Sequence, residues 1–174
     1  PESQLDNIEK LRVLYLRHSL DSLYSLGSYS LQSGINSDNY PLMTLGKLIL
    51  SGYYTKTGKS DLSKVYLEQC IFYYKRKNDL VFLADAENLM GISYLNSNNH
   101  PKAIEYFVRS IETSKELSDD KESFQAQLNL AEVYIRDEQY DLAEAEALTY
   151  LERVKKLNLQ NAIKRSYDVL GKIH

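Results

Sequence analysis

The stretch Asn88–Phe107, NLMGISYLNSNNHPKAIEYF, contains two apolar-periodic segments separated by the polar break NSNNHP. Within each segment apolar residues recur at spacings of three and four, which is the period of one face of an α-helix. Pro101 stands directly after the break. Proline is tolerated in the first turn of a helix because its missing N–H would have no partner there. The stretch therefore predicts a helix, a tight turn and a second helix.

The same pattern returns along the chain at intervals of 40 residues. One phase of this interval holds Tyr54, Tyr94 and Tyr134. Another phase holds a large apolar residue followed by a small one, at Leu50, Met90, Leu130 and Leu170. The starts of the second segments share a third phase, at Asp21, Asp61, Pro101 and Asp141. We interpret these Asp residues as helix caps, because an Asp side chain accepts free backbone N–H groups at a helix start.

An interval of this length indicates an array of stacked helix pairs. The sequence predicts an all-α fold, an α-α superhelix of antiparallel helix pairs with about nine helices. The second helices are expected at Asp61–Lys77, Pro101–Leu117 and Asp141–Leu157. No linker is long enough to divide domains, so a single array is expected over residues 1–174. Its units are approximately 1–39, 40–79, 80–119 and 120–159, followed by a first helix over 160–174.

Small residues at fixed places in the units predict close contact between helices. These residues are Gly91, Ala131, Gly171, Ala103 and Ala143. Tyr94 and Phe107 would fill the gaps beside them, so the aromatic residues are interpreted as core rather than as a platform for a cofactor or a base. A large side chain in place of Gly91 should therefore overpack a helix pair.

Composition excludes several classes of function. The net charge is −3 and residues of both signs are interspersed, so the sequence predicts no nucleic-acid partner and no attraction to an anionic membrane. No window approaches 18 consecutive apolar residues, so we expect no direct membrane insertion by this chain. Cys70 is the only cysteine. A disulfide and a thiolate zinc site are therefore excluded within one chain.

Candidate catalytic or metal-binding residues are not found in the sequence. The three histidines, His18, His100 and His174, occupy different phases of the repeat and have no ligand partner at metal-binding spacing. No phosphate-binding glycine loop or nucleophile motif occurs. The basic run YYKRKND, Tyr73–Asp79, is explained as cations near a helix C-terminus. We expect no enzyme activity, no cofactor and no metal in this chain.

The segments LMGISY, HPKAIEYF and NLAEVYIRDEQYDLAEAEA resemble tetratricopeptide repeats. They carry the Leu-small-x-x-Tyr step on the first helix, and an Ala and a large apolar residue four apart on the second. The resemblance is good from Leu80 and from Asp120, fair from Tyr40, and poor before Leu20. The period is 40 residues instead of the usual 34, which is typical of long-period members. Polar residues also replace an aromatic that the family often carries, at Lys47, Glu87 and Gln127.

The resemblance implies that the first helices line a concave groove that binds a protein or a peptide. The groove-lining residues implied here are Asp85, Asn88, Ile92, Leu95, Asn96, Gln125, Leu128, Glu132, Ile135 and Arg136. Their amide side chains could bond a peptide backbone, or could be merely solvated. The Asn of the family's carboxylate clamp is absent, since its place holds Gly52, Ile92, Glu132 and Lys172. Binding of a chaperone tail is therefore not expected.

We expect a non-catalytic protein-interaction module. Its period and its Tyr- and Ser-rich units resemble the arrays of bacterial sensor histidine kinases, which implies the sensory or regulatory input region of a larger signalling protein. That larger protein would carry the kinase, and the fragment would be cytoplasmic or periplasmic. Two alternatives stay open: a free-standing scaffold or co-chaperone, and a peptide-regulated phosphatase-type regulator. The last helix lacks its partner helix, as in an excised piece, and is available to pair with a second copy.

Overall fold

A computed structural model describes residues 20–117 and 122–173. These residues form eight helices and no strand. The helices are α1 (Leu20–Asn36), α2 (Tyr40–Lys56), α3 (Ser60–Lys77), α4 (Leu80–Asn96), α5 (His100–Lys115), α6 (Glu122–Arg136), α7 (Tyr140–Lys156) and α8 (Gln160–Leu170). The predicted all-α fold is confirmed. The part of the first unit before Leu20, together with His18 and His174, lies outside the described residues.

The connections between helices share one backbone device, shown by the turn between α4 and α5. The Asn99 N–H donates to the Tyr94 carbonyl at 2.9 Å, and the Asn98 N–H donates to the Leu95 carbonyl at 3.0 Å. This pair of bonds ends a helix when the residue just past the helix end has a positive φ. In this turn that residue is Asn98, with φ 56°. The Asn99 side chain then accepts from the Lys102 N–H at 3.2 Å, which caps α5. One short turn thus ends one helix and starts the next.

Positive φ values recur at the equivalent place in the turns after α1, α2, α3, α6 and α7, at Asp38, Gly58, Asn78, Glu138 and Asn158. Asn, Asp and Gly tolerate this left-handed conformation, whereas a longer side chain such as that of Glu138 does so at a cost. The residue types in the polar breaks therefore suit the backbone conformation of the turns as well as contact with water.

The capping role predicted for Asp61 and Asp141 is wrong. The helices begin one residue earlier than expected, at Ser60 and Tyr140, so Asp61 and Asp141 lie within the first turn. α1 is described only from Leu20 onward, so the capping role of Asp21 stays a prediction. A carboxylate in the first turn still interacts favourably with the helix dipole. The position predicted for Pro101, in the first turn of α5, is confirmed.

Replacing Glu138 by glycine should raise the free energy of unfolding by about 0.5 to 1 kcal/mol. The left-handed conformation costs an L-residue about 1–2 kcal/mol, and the greater freedom of glycine in the unfolded chain takes back about 0.5–1 kcal/mol. Urea denaturation followed by circular dichroism measures the change. Glu138→Ala is the matched control, because it removes the carboxylate and keeps the Cβ. Equal stability of the two variants would contradict this account.

The chain forms two compact bodies, which divide between Lys77 and Asn78. In the N-terminal body, described from Leu20, α1 packs on α2 and α2 packs on α3. Glycines allow the close approach of α1 and α2: a Cβ at Gly46 would lie 2.4 Å from the backbone nitrogen of Leu31. Cys70 is fully buried, and its Sγ lies 3.5 Å from the Thr44 carbonyl. Burial raises the pKa of this thiol to about 12, so it stays protonated and unreactive.

In the C-terminal body, described over residues 78–117 and 122–173, consecutive helices pack in pairs from α4 to α8. In addition α4 contacts α6, and α6 contacts α8, so these three first helices form a row. Phe107, on α5, is fully buried beside Gly91 of α4. Ala131, Ala103 and Ala143 are fully buried as well, as predicted.

Gly171 is the exposed C-cap residue of α8, and among the described residues a Cβ there would meet only carbonyls of its own helix. Its role as a packing residue stays a prediction. Tyr94 and Phe107 fill gaps between helices, as predicted. The Tyr94 and Tyr106 rings stack with their centroids 5.5 Å apart, and Tyr134 packs against the cluster around Phe107.

Candidate functional site

A line of hydrogen-bonded side chains crosses the row of first helices in the C-terminal body. Arg165, on α8, donates from Nη1 to Oε1 of Gln125, on α6, at 2.9 Å. Gln125 donates from Nε2 to Oδ1 of Asn129 at 3.0 Å. Asn129 donates from Nδ2 to Oδ1 of Asn88, on α4, at 2.8 Å. We call these residues, Asn88, Gln125, Asn129 and Arg165, the amide ladder.

The ladder exists because α6 is apolar on two sides and polar between them. Leu128 and Ala131 belong to the hydrophobic cluster formed with α7 and α8. Leu130 and Val133 belong to the cluster formed with α4 and α5. The remaining stripe has helical spacing and carries only polar residues, at Gln125, Asn129, Glu132 and Arg136. This stripe lies beside the polar residues of α4 and α8.

A charged group lies farther along the same stripe. The Glu132 carboxylate is 3.6 Å from Nη2 of Arg136 and 4.0 Å from Nζ of Lys172. All three side chains are between 41 and 54% exposed. Ion pairs of this kind contribute at most about 1 kcal/mol because water and salt screen them. They are loose enough to exchange for contacts with a ligand. We call the ladder with Asp85, Glu132, Arg136 and Lys172 the first-helix face.

The residues predicted to line a groove differ in their accessibility. Half-buried side chains belong to Asp85, Asn88, Ile92, Gln125, Glu132 and Ile135, and exposed ones to Asn96 and Arg136. Leu95 and Leu128 are only 6% and 5% exposed and belong to the two hydrophobic clusters. These two side chains therefore support the first-helix face from below, and they offer little surface to a ligand.

Ile92 and Ile135 are partly buried residues that pack against the same two clusters. Among the predicted polar residues, Asn88 and Gln125 are joined through Asn129, and Glu132 meets Arg136. The sequence interpretation missed Asn129 and Arg165. Arg165 shares the 40-residue phase of Asp85 and Gln125, so this phase could have identified it. Asn129 follows Gln125 by one helical turn, which places both on one side of α6.

A polar cleft of about 460 Å³ opens between α5 and α7, and Gln127 of α6 is among its lining residues. Gln127 accepts from Nη1 of Arg153 at 2.9 Å and donates to Glu146 at 3.1 Å. Arg153 also covers the Phe124 ring, 4.7 Å from its centroid. Gln127, Glu146 and Arg153 thus bond one another, and they hold α6 against α7.

Glu87, one 40-residue interval before Gln127, makes an equivalent contact within the pair of α4 and α5. It is 7% exposed and accepts from the Thr113 hydroxyl at 2.8 Å. These contacts explain two of the polar residues found where the sequence resemblance would place an aromatic. Glu87 and Gln127 each reach across to the second helix and bond it, where an aromatic ring would pack.

The remaining chemistry-bearing groups serve the packing of the helices. His100, at the start of α5, bonds through Nδ1 to the Asp137 carboxylate in the turn after α6. Burial raises the pKa of the Tyr134 hydroxyl, which stays protonated at neutral pH. Over the described residues, no cluster of His, Cys, Asp or Glu could hold a metal ion. Among the same residues, no helix is both long enough and apolar enough to cross a membrane.

The family model of the tetratricopeptide repeat matches residues 82–156. This segment includes nearly all of α4 and continues to the end of α7, so it contains Asn88, Gln125 and Asn129 of the ladder. Tetratricopeptide repeats generally bind proteins or peptides. The chain is also similar to the crystal structure of BtubC (BKLC) from P. vanneervenii, with a TM-score of 0.73 and 18% sequence identity.

The structural similarity extends over 90% of this chain and 66% of BtubC. The chain thus spans just under two thirds of the length of that protein. At 18% identity this likeness shows a common fold. It does not show that the two proteins share a partner. No curated protein matches the sequence.

Proposed function

We propose that this chain is a protein-interaction module that binds an extended segment of a partner along the first-helix face. The amide ladder carries the proposal. Side-chain amides offer both a donor and an acceptor, so they can bond a peptide backbone without reading its side chains. Asn88 on α4 and Gln125 and Asn129 on α6 would meet several peptide units at once. The match of residues 82–156 to the tetratricopeptide repeat supports the same conclusion.

A peptide selected on this protein from a display library tests the proposal. Asn88→Ala should weaken its binding by about five-fold, because it removes one hydrogen-bonding side chain worth about 1 kcal/mol. Arg136→Ala, at the C-terminal end of the polar stripe of α6, should also weaken binding. Gln69→Ala is the matched control, since Gln69 is an exposed amide on the second helix α3. Fluorescence anisotropy gives the dissociation constants. Sensitivity only to changes on second helices would refute the assignment of the face.

We further propose that this chain is a long-period array. It would form the input region of a larger bacterial signalling protein of the histidine-kinase type. The starts of α2 to α5, at Tyr40, Ser60, Leu80 and His100, support a long period. The coding sequence after His174 tests the larger assignment. A transmembrane segment and a phosphoacceptor helix would support it, and a stop codon after one further helix would contradict it.

The arrangement of the whole chain belongs to the same proposal. We propose one array over residues 1–174, in which α8 pairs with a second copy. The interaction itself is non-catalytic: the ladder holds a partner segment and leaves its covalent bonds unchanged.

A further inference from the structure

We infer that the first-helix face selects an extended segment that carries an acidic side chain, and that Arg165 binds its carboxylate. The inference rests on the proposed function and adds the chemistry of the ligand. Two observations carry it: the direction of the hydrogen bonds along the amide ladder, and the charges at its two ends.

All bonds of the ladder run in one direction, from Arg165 through Gln125 and Asn129 to Asn88. An amide nitrogen carries two N–H groups and a guanidinium carries five. The ladder uses one N–H of Arg165, one of Gln125 and one of Asn129. At Asn88 it uses the carbonyl oxygen, so both N–H groups of that side chain stay available to a ligand. The hydrogen-bonding groups that the ladder leaves unused are therefore mainly N–H donors.

A surface with surplus donors favours a ligand with surplus acceptors. An extended peptide supplies backbone carbonyls along its length. The guanidinium at the end of the ladder offers a planar pair of N–H groups, and a carboxylate accepts both in a bidentate arrangement. A lysine or a neutral side chain cannot make that contact, because the first repels Arg165 and the second lacks charge.

The charges around the ladder give the ligand a direction. Asp85 of α4, Gln125 of α6 and Arg165 of α8 share one phase, so this position changes from acidic to neutral to basic along the row. At the α8 end Arg136 and Lys172 add positive charge, and Glu132 and Asp168 offset it. These four charges cancel, so Arg165 supplies the net positive charge at this end. An acidic side chain is thus favoured beside α8 and disfavoured beside Asp85.

Short fluorescein-labelled peptides, acetylated and amidated so that their ends are neutral, test the inference on the full chain. Three peptide libraries are screened, in which one position is fixed as Glu, as Gln or as Lys. The tightest-binding sequence with Glu is then compared with its Glu→Gln analogue. We expect the Glu peptide to bind about ten-fold more tightly, as for a hydrogen bond to a charged group. In Arg165→Gln this preference should fall to less than about two-fold.

Arg109→Gln is the matched control, since Arg109 is a half-exposed arginine on the second helix α5 and pairs with Glu105. It should keep the preference of the unmodified protein for Glu. Circular dichroism melting curves verify that both variants fold.

The outcomes separate the inference from the proposed function. An equal preference for Glu in the unmodified protein and in Arg165→Gln overturns the assignment of Arg165. A preference for Gln or Lys peptides overturns the acidic ligand. In both cases a loss of binding in Asn88→Ala would still support the first-helix face as a binding site. Failure of every library to bind would overturn both proposals.

Discussion

Replacing Gly46 by alanine is expected to lower the free energy of unfolding by about 3 kcal/mol, near the upper end for overpacking. The new Cβ would lie 2.4 Å from the backbone nitrogen of Leu31, 2.8 Å from its Cα and 2.9 Å from the Gly27 carbonyl oxygen. Backbone atoms cannot rotate away, so α1 and α2 must move apart. Alanine gains about 1 kcal/mol over glycine in helix propensity, and the clash has to exceed that gain.

Urea denaturation of the full chain, followed by circular dichroism, measures the loss. Gly171→Ala is the control, since Gly171 is exposed and its nearest contact, at 3.3 Å, is the Tyr167 carbonyl of its own helix. Its stability should change by less than about 0.5 kcal/mol. If Gly46→Ala proved as stable as this control, α1 and α2 could not approach each other at Gly46.

The helices could be predicted from the sequence because two independent signals coincide. Apolar spacing identified the helical segments, and the polar breaks located their ends. The second helix predicted at Pro101–Leu117 spans His100–Lys115 in the structure. Asn98 and Asn99 show why the breaks are reliable: one adopts a left-handed conformation and the other caps the next helix. Residues with such local conformational roles are recognisable without knowledge of the tertiary structure.

The contacts between helices were less predictable, because periodicity identifies a side of a helix and not what lies opposite. Gly27 and Gly46 carry no signal that their helices meet there, although a Cβ at either would approach backbone atoms of the facing helix. Leu95 and Leu128 were predicted to line the groove from their positions in the repeat. They are nevertheless buried, because packing on two sides makes the apolar surface of each helix wider than one stripe.

The amide ladder illustrates the same limit within the candidate site. Asn88 and Gln125 could be assigned to the correct face from their phase. Their link through Asn129 depends on side-chain length and on the offset between α4 and α6. The interval predicted from the sequence is 40 residues, whereas the bonded pair Asn88 and Asn129 is 41 residues apart. A strict search by phase therefore misses this contact.

Replacing Gly91 by leucine is expected to lower the free energy of unfolding by about 1 to 3 kcal/mol. A Cβ at Gly91 would lie 2.5 Å from Cε1 and 2.6 Å from Cδ1 of Phe107, whose ring is fully buried. Unlike the backbone facing Gly46, this obstacle is a side chain that mutation can shorten. Ala145→Leu, which adds bulk at an exposed position on α7, should change stability by less than about 0.5 kcal/mol.

A double-mutant cycle with Phe107→Leu locates the clash. If the leucine at position 91 collides with the Phe107 ring, shortening that ring relieves the strain, and the double variant should be more stable than the sum of the single losses by about 0.5 to 3 kcal/mol. Additive losses would place the clash elsewhere and contradict the packing of α4 on α5. Because α4 also carries Asn88, the cycle further tests whether the ladder depends on this packing. A double variant that regains stability should regain peptide affinity as well.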